Sequence, residues 1–147
     1  PSLSLSRSRK SGTVSPSAAG IDISKTASRA DLLVQSRTLL AAGRAKDVSD
    51  RLLTWVTAHP RDALAWQTLA IAYGNQGQNV RAIRADAEAR AAQLDYTAAL
   101  DRLKAAQIMM RNNPASADFM EGSIIDARAR QLDSLVREQA LQDKLYR

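Results

Sequence analysis

From Ser28 onward the apolar residues recur at helical spacing, and the breaks between them are evenly spaced as well. Gly43 is followed 17 residues later by Pro60 and Pro60 is followed 17 later by Gly77, so a glycine returns after 34 residues. A stride of that size is one helix of about 13 residues plus a short turn, which predicts that the chain folds back at each mark.

Six helices follow from this pattern. The first is expected over 29–42 with Leu32, Leu33, Leu39 and Leu40 apolar, and the second over 46–58 with Val48, Leu52, Trp55 and Val56 on one face. His59 and Pro60 end the second, because proline disfavours helical geometry in the residue before it. Asp62 is suited to cap a third helix carrying Trp66, Leu69, Ala70 and Tyr73, and the fourth is expected over 79–92. Asp95 is suited to cap a fifth with Leu100, Leu103, Ala106 and Met110 inward, which breaks near Pro114. The last begins near Ala117 or Asp118 and carries Ile124, Ile125, Ala129, Leu132, Leu135 and Val136.

Composition supports an all-α fold. Apolar residues make up 45% of the 147, yet aromatics only 4%, so alanine and leucine supply the core, as close helix packing favours. Residues 1–27 are different: they are rich in serine, broken by Gly12, Pro16 and Gly20, and lack an apolar period. That composition reads as a flexible linker or tail ahead of a helical domain over 28–147. The chain begins at Pro1 rather than methionine, as expected of a piece of a longer protein.

The net charge of +6 divides equally between residues 1–28 and the remainder. A basic helical nucleic-acid-binding protein, using Arg7, Arg9 and Lys10 with Arg81 and Arg84, is therefore the alternative functional reading. There is no cysteine, which removes disulfides and thiolate chemistry, and no run approaches the length of a membrane span. His59 is the only histidine, so a histidine-based zinc site has no second ligand of its kind. At a helix end, His59 is explained by a contact to a terminal carbonyl. Asp86 and Glu88 are two apart and face different sides of a helix, while Asp47 and Asp50 sit in a first helical turn, so neither pair suggests acid-base catalysis. The glycines of "YGNQGQN" lack the Lys-Ser/Thr of a phosphate loop. Ile108, Met109 and Met110 read as a contact between the last helices rather than a binding patch. No catalytic residue, metal site or cofactor is expected in this chain.

The register of the stretch "DALAWQTLAIAYGNQGQNVRA" resembles the tetratricopeptide pattern. Trp66, Leu69, Tyr73 and Ala82 occupy its packing positions, Ala70 stands in for its small glycine, and Leu39, Leu52 and Pro60 fit the preceding repeat. Asp86 departs from the pattern, falling where a large aromatic is wanted. An unpaired buried carboxylate is costly, so Asp86 is expected to turn outward or meet an arginine, with Arg90 the nearest.

Residues 29–140 also resemble the C-terminal region of BepA-like periplasmic zinc metallopeptidases. The likeness rests on Arg84, Ala85 and Asp86, then Leu94, Asp95, Ala98 or Ala99 and Leu100, and later Asp126, Ala127, Arg128 and Leu132. It implies a right-handed tetratricopeptide-like stack of about six antiparallel helices, detached from a catalytic domain whose H-E-x-x-H helix would hold the zinc. It further implies a periplasmic, non-catalytic domain that docks a protein substrate or partner in outer-membrane protein quality control. In such stacks the first helix of each pair lines a groove. The groove positions are Arg37 in one repeat and Leu64, Gln67, Ile71 and Asn75 in the next, with Ala99 a packing position beyond them.

Overall fold

The computed structural model describes residues 23–146, which form six α-helices and, among the described residues, no strand. They are α1 (Ile23–Ala41), α2 (Ala45–Ala58), α3 (Ala63–Asn75), α4 (Asn79–Ala92), α5 (Tyr96–Asn112) and α6 (Phe119–Leu145), with a 3₁₀ turn at Pro114–Ser116. The fold is all-α. Residues 1–22 of the expected linker lie outside the described residues, and α1 starts inside that stretch, at Ile23, earlier than the apolar period placed it. No glycine or proline stands between Gly20 and the apolar run, so nothing stops the helix from extending backward.

The described residues divide into two compact units, one up to Arg37 and one from Thr38 onward. In the first unit, Leu32 and Leu33 are half-buried, and the Ser36 hydroxyl donates back to the Leu32 carbonyl at 2.7 Å. In the second unit α2 packs on α3, α3 on α4, α4 on α5, and α5 on α6.

The helix ends explain the stride. Gly43 and Gly77 have φ of +78° and +74°, a left-handed conformation that closes a helix and that glycine adopts without strain. The backbone N–H groups of Arg44 and Gln78 then donate to the carbonyls of Leu39 and Tyr73, at 2.8 and 2.9 Å. The 17-residue stride continues once more to Leu94, whose φ is 65°, and Asp95 donates to the Arg90 carbonyl at 3.0 Å in the same way. Leucine therefore does at 94 what glycine does at 43 and 77, against the steric preference of an L side chain. The starts are set by aspartates: Asp62, Asp95 and Asp118 accept from the backbone N–H of Ala65, Ala98 and Glu121.

Val48, Leu52 and Val56 of α2 are buried, as are Ala65, Trp66, Leu69, Ala72 and Tyr73 of α3. A second cluster joins Val80, Ala87 and Ala91 of α4, Ala99, Leu100, Leu103 and Ala106 of α5, and Ile125, Ala129 and Leu132 of α6. Met109, Met110, Leu135 and Val136 pack against it, while Ile108 is exposed. Of the apolar residues on the last helix, Ile124 is 38% exposed, because α6 buries the single stripe through Ile125, Ala129 and Leu132, and Ile124 lies one residue off it. Leu39 is only half-buried and Pro60 is exposed; the Pro60 carbonyl nonetheless accepts the Trp66 indole N–H at 2.9 Å. Trp55 is also half-buried. Its indole donates to Asp62 Oδ2 at 2.9 Å, and its ring lies 3.9 Å from that of His59.

Candidate functional site: a cleft across α3, α4 and α5

Helix α3 buries Trp66, Leu69 and Tyr73 on one side and leaves Leu64, Gln67, Ile71 and Asn75 exposed on another. Those four recur at intervals of three, four and four residues and so form one stripe. Gln67 and Ile71 enter the lining of a shallow cleft of about 400 Å³, together with Ala70 of α3, Ala82, Ile83 and Asp86 of α4, and Arg102 of α5. Leu64 and Asn75 continue the stripe on either side of it. Arg37 is exposed and belongs to the first unit, and it is not one of the residues lining this cleft. Ala82 is half-buried and forms cleft floor, and Ala99 is fully buried on α5.

Ile71 gives the cleft its character. At 55% exposure it is a large aliphatic side chain held in water, as Leu64 is to a lesser degree, on a helix that buries Trp66, Leu69 and Tyr73. The neighbouring alanines make the floor low and smooth. The polar end is built by Asp86, whose Oδ2 accepts from Arg102 Nε at 2.7 Å and from Arg90 Nε at 3.3 Å. Arg90 was the partner anticipated from spacing; Arg102 is the closer one. Partial burial pushes the Asp86 carboxyl upward, but the hydrogen bonds and charges of the two arginines outweigh it and hold the group below its usual value. With two guanidinium groups on one carboxylate, this end of the cleft carries a net positive charge.

That lowered value makes stability pH-dependent with a definite sign. A group whose folded value is depressed contributes stability above its unfolded value, near 3.8, and the contribution is lost as pH falls through the folded value. Asp86→Asn is expected to cost about 1–2 kcal/mol at pH 7. It should also flatten the fall in urea-unfolding stability between about pH 5 and pH 3 relative to the parent. A parallel fall in both proteins would show that Asp86 is not held by the two arginines.

On α4, Glu88 points away from Asp86. Its carboxylate is buried and accepts from Arg128 of α6 in a two-pronged arrangement, with Nε to Oε2 at 2.9 Å and Nη2 to Oε1 at 2.9 Å. Arg81 and Arg84, candidates for phosphate contacts, instead face acids at the start of α6. Arg81 is 3.5 Å from Asp118 and 3.9 Å from Glu121, and Arg84 is 3.8 Å from Glu121 and lies over the Trp66 ring at 5.8 Å. Burial raises the Tyr73 hydroxyl above its usual value, with Arg81 acting in the opposite direction. Asp47 and Asp50 pair with Arg44 and Lys46 on an exposed face.

Among the described residues no three His, Cys, Asp or Glu side chains gather as a metal site, and no helix is long and apolar enough to cross a membrane. Arg102 and Ile83 are the cleft residues that sequence reasoning missed. Asp86 carried the available signal, a carboxylate at a position expected to be buried. No protein-family model matches this chain, and neither the curated proteins nor the solved structures contain a match to it.

Proposed function

We propose that the chain is a non-catalytic, tetratricopeptide-like interaction domain that docks a protein segment in the cleft across α3, α4 and α5. The observation that carries this reading is the stripe of Leu64, Gln67, Ile71 and Asn75. An aliphatic ridge alternates there with amide side chains able to hydrogen-bond a peptide backbone, beside a charged end made by Asp86 and Arg102. The sequence resemblance supports placing this domain beside the protease domain of a BepA-like zinc metallopeptidase in the periplasm, where it would present outer-membrane protein substrates or their assembly partners. Zinc would belong to that other domain. An H-E-x-x-H segment encoded in the same gene is the expected finding, and a complete gene without one removes the metallopeptidase part of the reading.

Docking is tested by the double variant Gln67→Ala/Ile71→Ala, which removes the exposed groups and keeps good helix formers. Surface changes of this kind are expected to alter unfolding stability by no more than about 0.5 kcal/mol. Binding of a fluorescein-labelled, chemically unfolded polypeptide, read by anisotropy, should weaken at least about fivefold. Parent-like binding by the variant overturns the assignment of the cleft. Nucleic-acid binding has less support, because Arg81 and Arg84 are engaged by Asp118 and Glu121. If it operates, affinity for an oligonucleotide must fall steeply with salt and be lost when residues 1–27 are removed.

A further inference from the structure

A second cleft, of about 500 Å³, opens where the α2–α3 and α4–α5 turns meet α6. That volume is within the range of small-molecule sites. Its apolar wall is made by Leu94, Tyr96 and Leu135, and its charged groups are Arg61, Glu88 and Arg128. Glu88 and Arg128 neutralise one another in the two-pronged pair, both oxygens of the carboxylate being occupied. Arg61 is exposed, with no ion pair among the described residues. The lining is thus part apolar and part polar, and Arg61 is its one charge without an ion pair among the described residues.

Leu94 is the independent observation. At 64% exposure it derives almost no burial from its position, yet it holds the left-handed conformation that glycine supplies at 43 and 77, two of the three preceding marks of the stride. Its carbonyl is fixed by the side-chain N–H of Gln139 on α6, at 3.0 Å. Leucine thus stands at a strained position where glycine would fold more easily, and its side chain is part of the cleft lining.

We infer that the cleft between the α4–α5 turn and α6 binds a small amphipathic anion, an aliphatic chain carrying one carboxylate. The chain lies against Leu94, Tyr96 and Leu135, and the carboxylate pairs with Arg61. Glu88 and its partner Arg128 form a polar floor that admits no second charge.

The test uses decanoate, below its micelle-forming concentration, as probe for the full chain. Backbone amide shifts of Arg61, Leu94 and Tyr96 should saturate together. Trp66 emission should follow the same curve, since its indole is bonded to the carbonyl of Pro60, another lining residue. Propionate, which has the charge without the chain, and decyltrimethylammonium, which has the chain with the opposite charge, should each bind at least tenfold more weakly. Arg61→Gln should weaken decanoate about fivefold, as loss of one partly exposed charge-assisted contact does. Leu94→Gly should weaken it by a similar factor while melting no lower than the parent, which separates loss of the ligand contact from loss of the fold. Gln67→Ala/Ile71→Ala, in the other cleft, should leave decanoate binding unchanged. Equal binding of decanoate and decyltrimethylammonium, parent-like affinity in Arg61→Gln, or shifts that never saturate each overturn the assignment.

Discussion

Trp66→Ala is expected to cost about 3–5 kcal/mol and to lower the thermal midpoint by on the order of 10 °C, with Tyr73→Ala close behind it. Both side chains are 6% exposed and stand on the face of α3 opposite the open stripe. Truncating Trp66 removes three things together: a large apolar area, the indole hydrogen bond that ties the start of α3 to the Pro60 carbonyl, and the ring beneath the Arg84 guanidinium. The loss should appear in calorimetry as a shifted midpoint with a cooperative transition retained. Near-parent melting combined with loss of partner binding would mean that the aromatics are a ligand surface and that the face assigned here to docking is the wrong one.

Glu88→Ala is the second large effect, expected at about 3 kcal/mol, because it strands a half-buried guanidinium that has, among the described residues, only this carboxylate as counter-charge. The pair joins α4 to α6 across 40 residues of sequence. The loss should therefore be uneven. Hydrogen exchange is expected to accelerate most along α6, from Ile125 to Val136, and least in α2 and α3. Adding Arg128→Leu to Glu88→Ala should recover part of the stability, since removing both partners abolishes the stranded charge. Equal loss in the single and double variants would show that the pair is a surface contact of little weight.

The two side chains show how differently neighbouring positions of one helix can be read. Trp66 and Tyr73 are legible in sequence as core because the apolar period of α3 is local: their burial follows from spacing within a single helix. The same local signals gave the turn at Gly77 and the Asp62 and Asp95 caps, each set by groups a few residues apart, while the Asp118 cap was seen only in the structure. Asp86 was legible in half, since Arg90 is one helical turn away. Its nearer partner, Arg102, is 16 residues distant, and its approach depends on how α5 is rotated against α4. Gln67 and Ile71 were placed on an open stripe by periodicity, but that Ala82, Ile83 and Arg102 face them follows from packing alone.

Sequence by itself determined the all-α class, the helix boundaries of α2 to α5 almost to the residue, the caps at Asp62 and Asp95 and the burial of Trp66, Leu69 and Tyr73. All of these rest on interactions within one or two helical turns, where the order of residues is already the order in space. Only the tertiary structure decided that Glu88 is held by Arg128, that Arg81 and Arg84 face the first turn of α6, and that Ile124 stays outside the core. It also decided that Leu94 takes a glycine's conformation beside a second cleft. The reason is that crossing angles and helix rotations are set by the fit of whole faces, summed over many weak contacts, and the spacing of residues along one helix carries no record of which face of another it will meet.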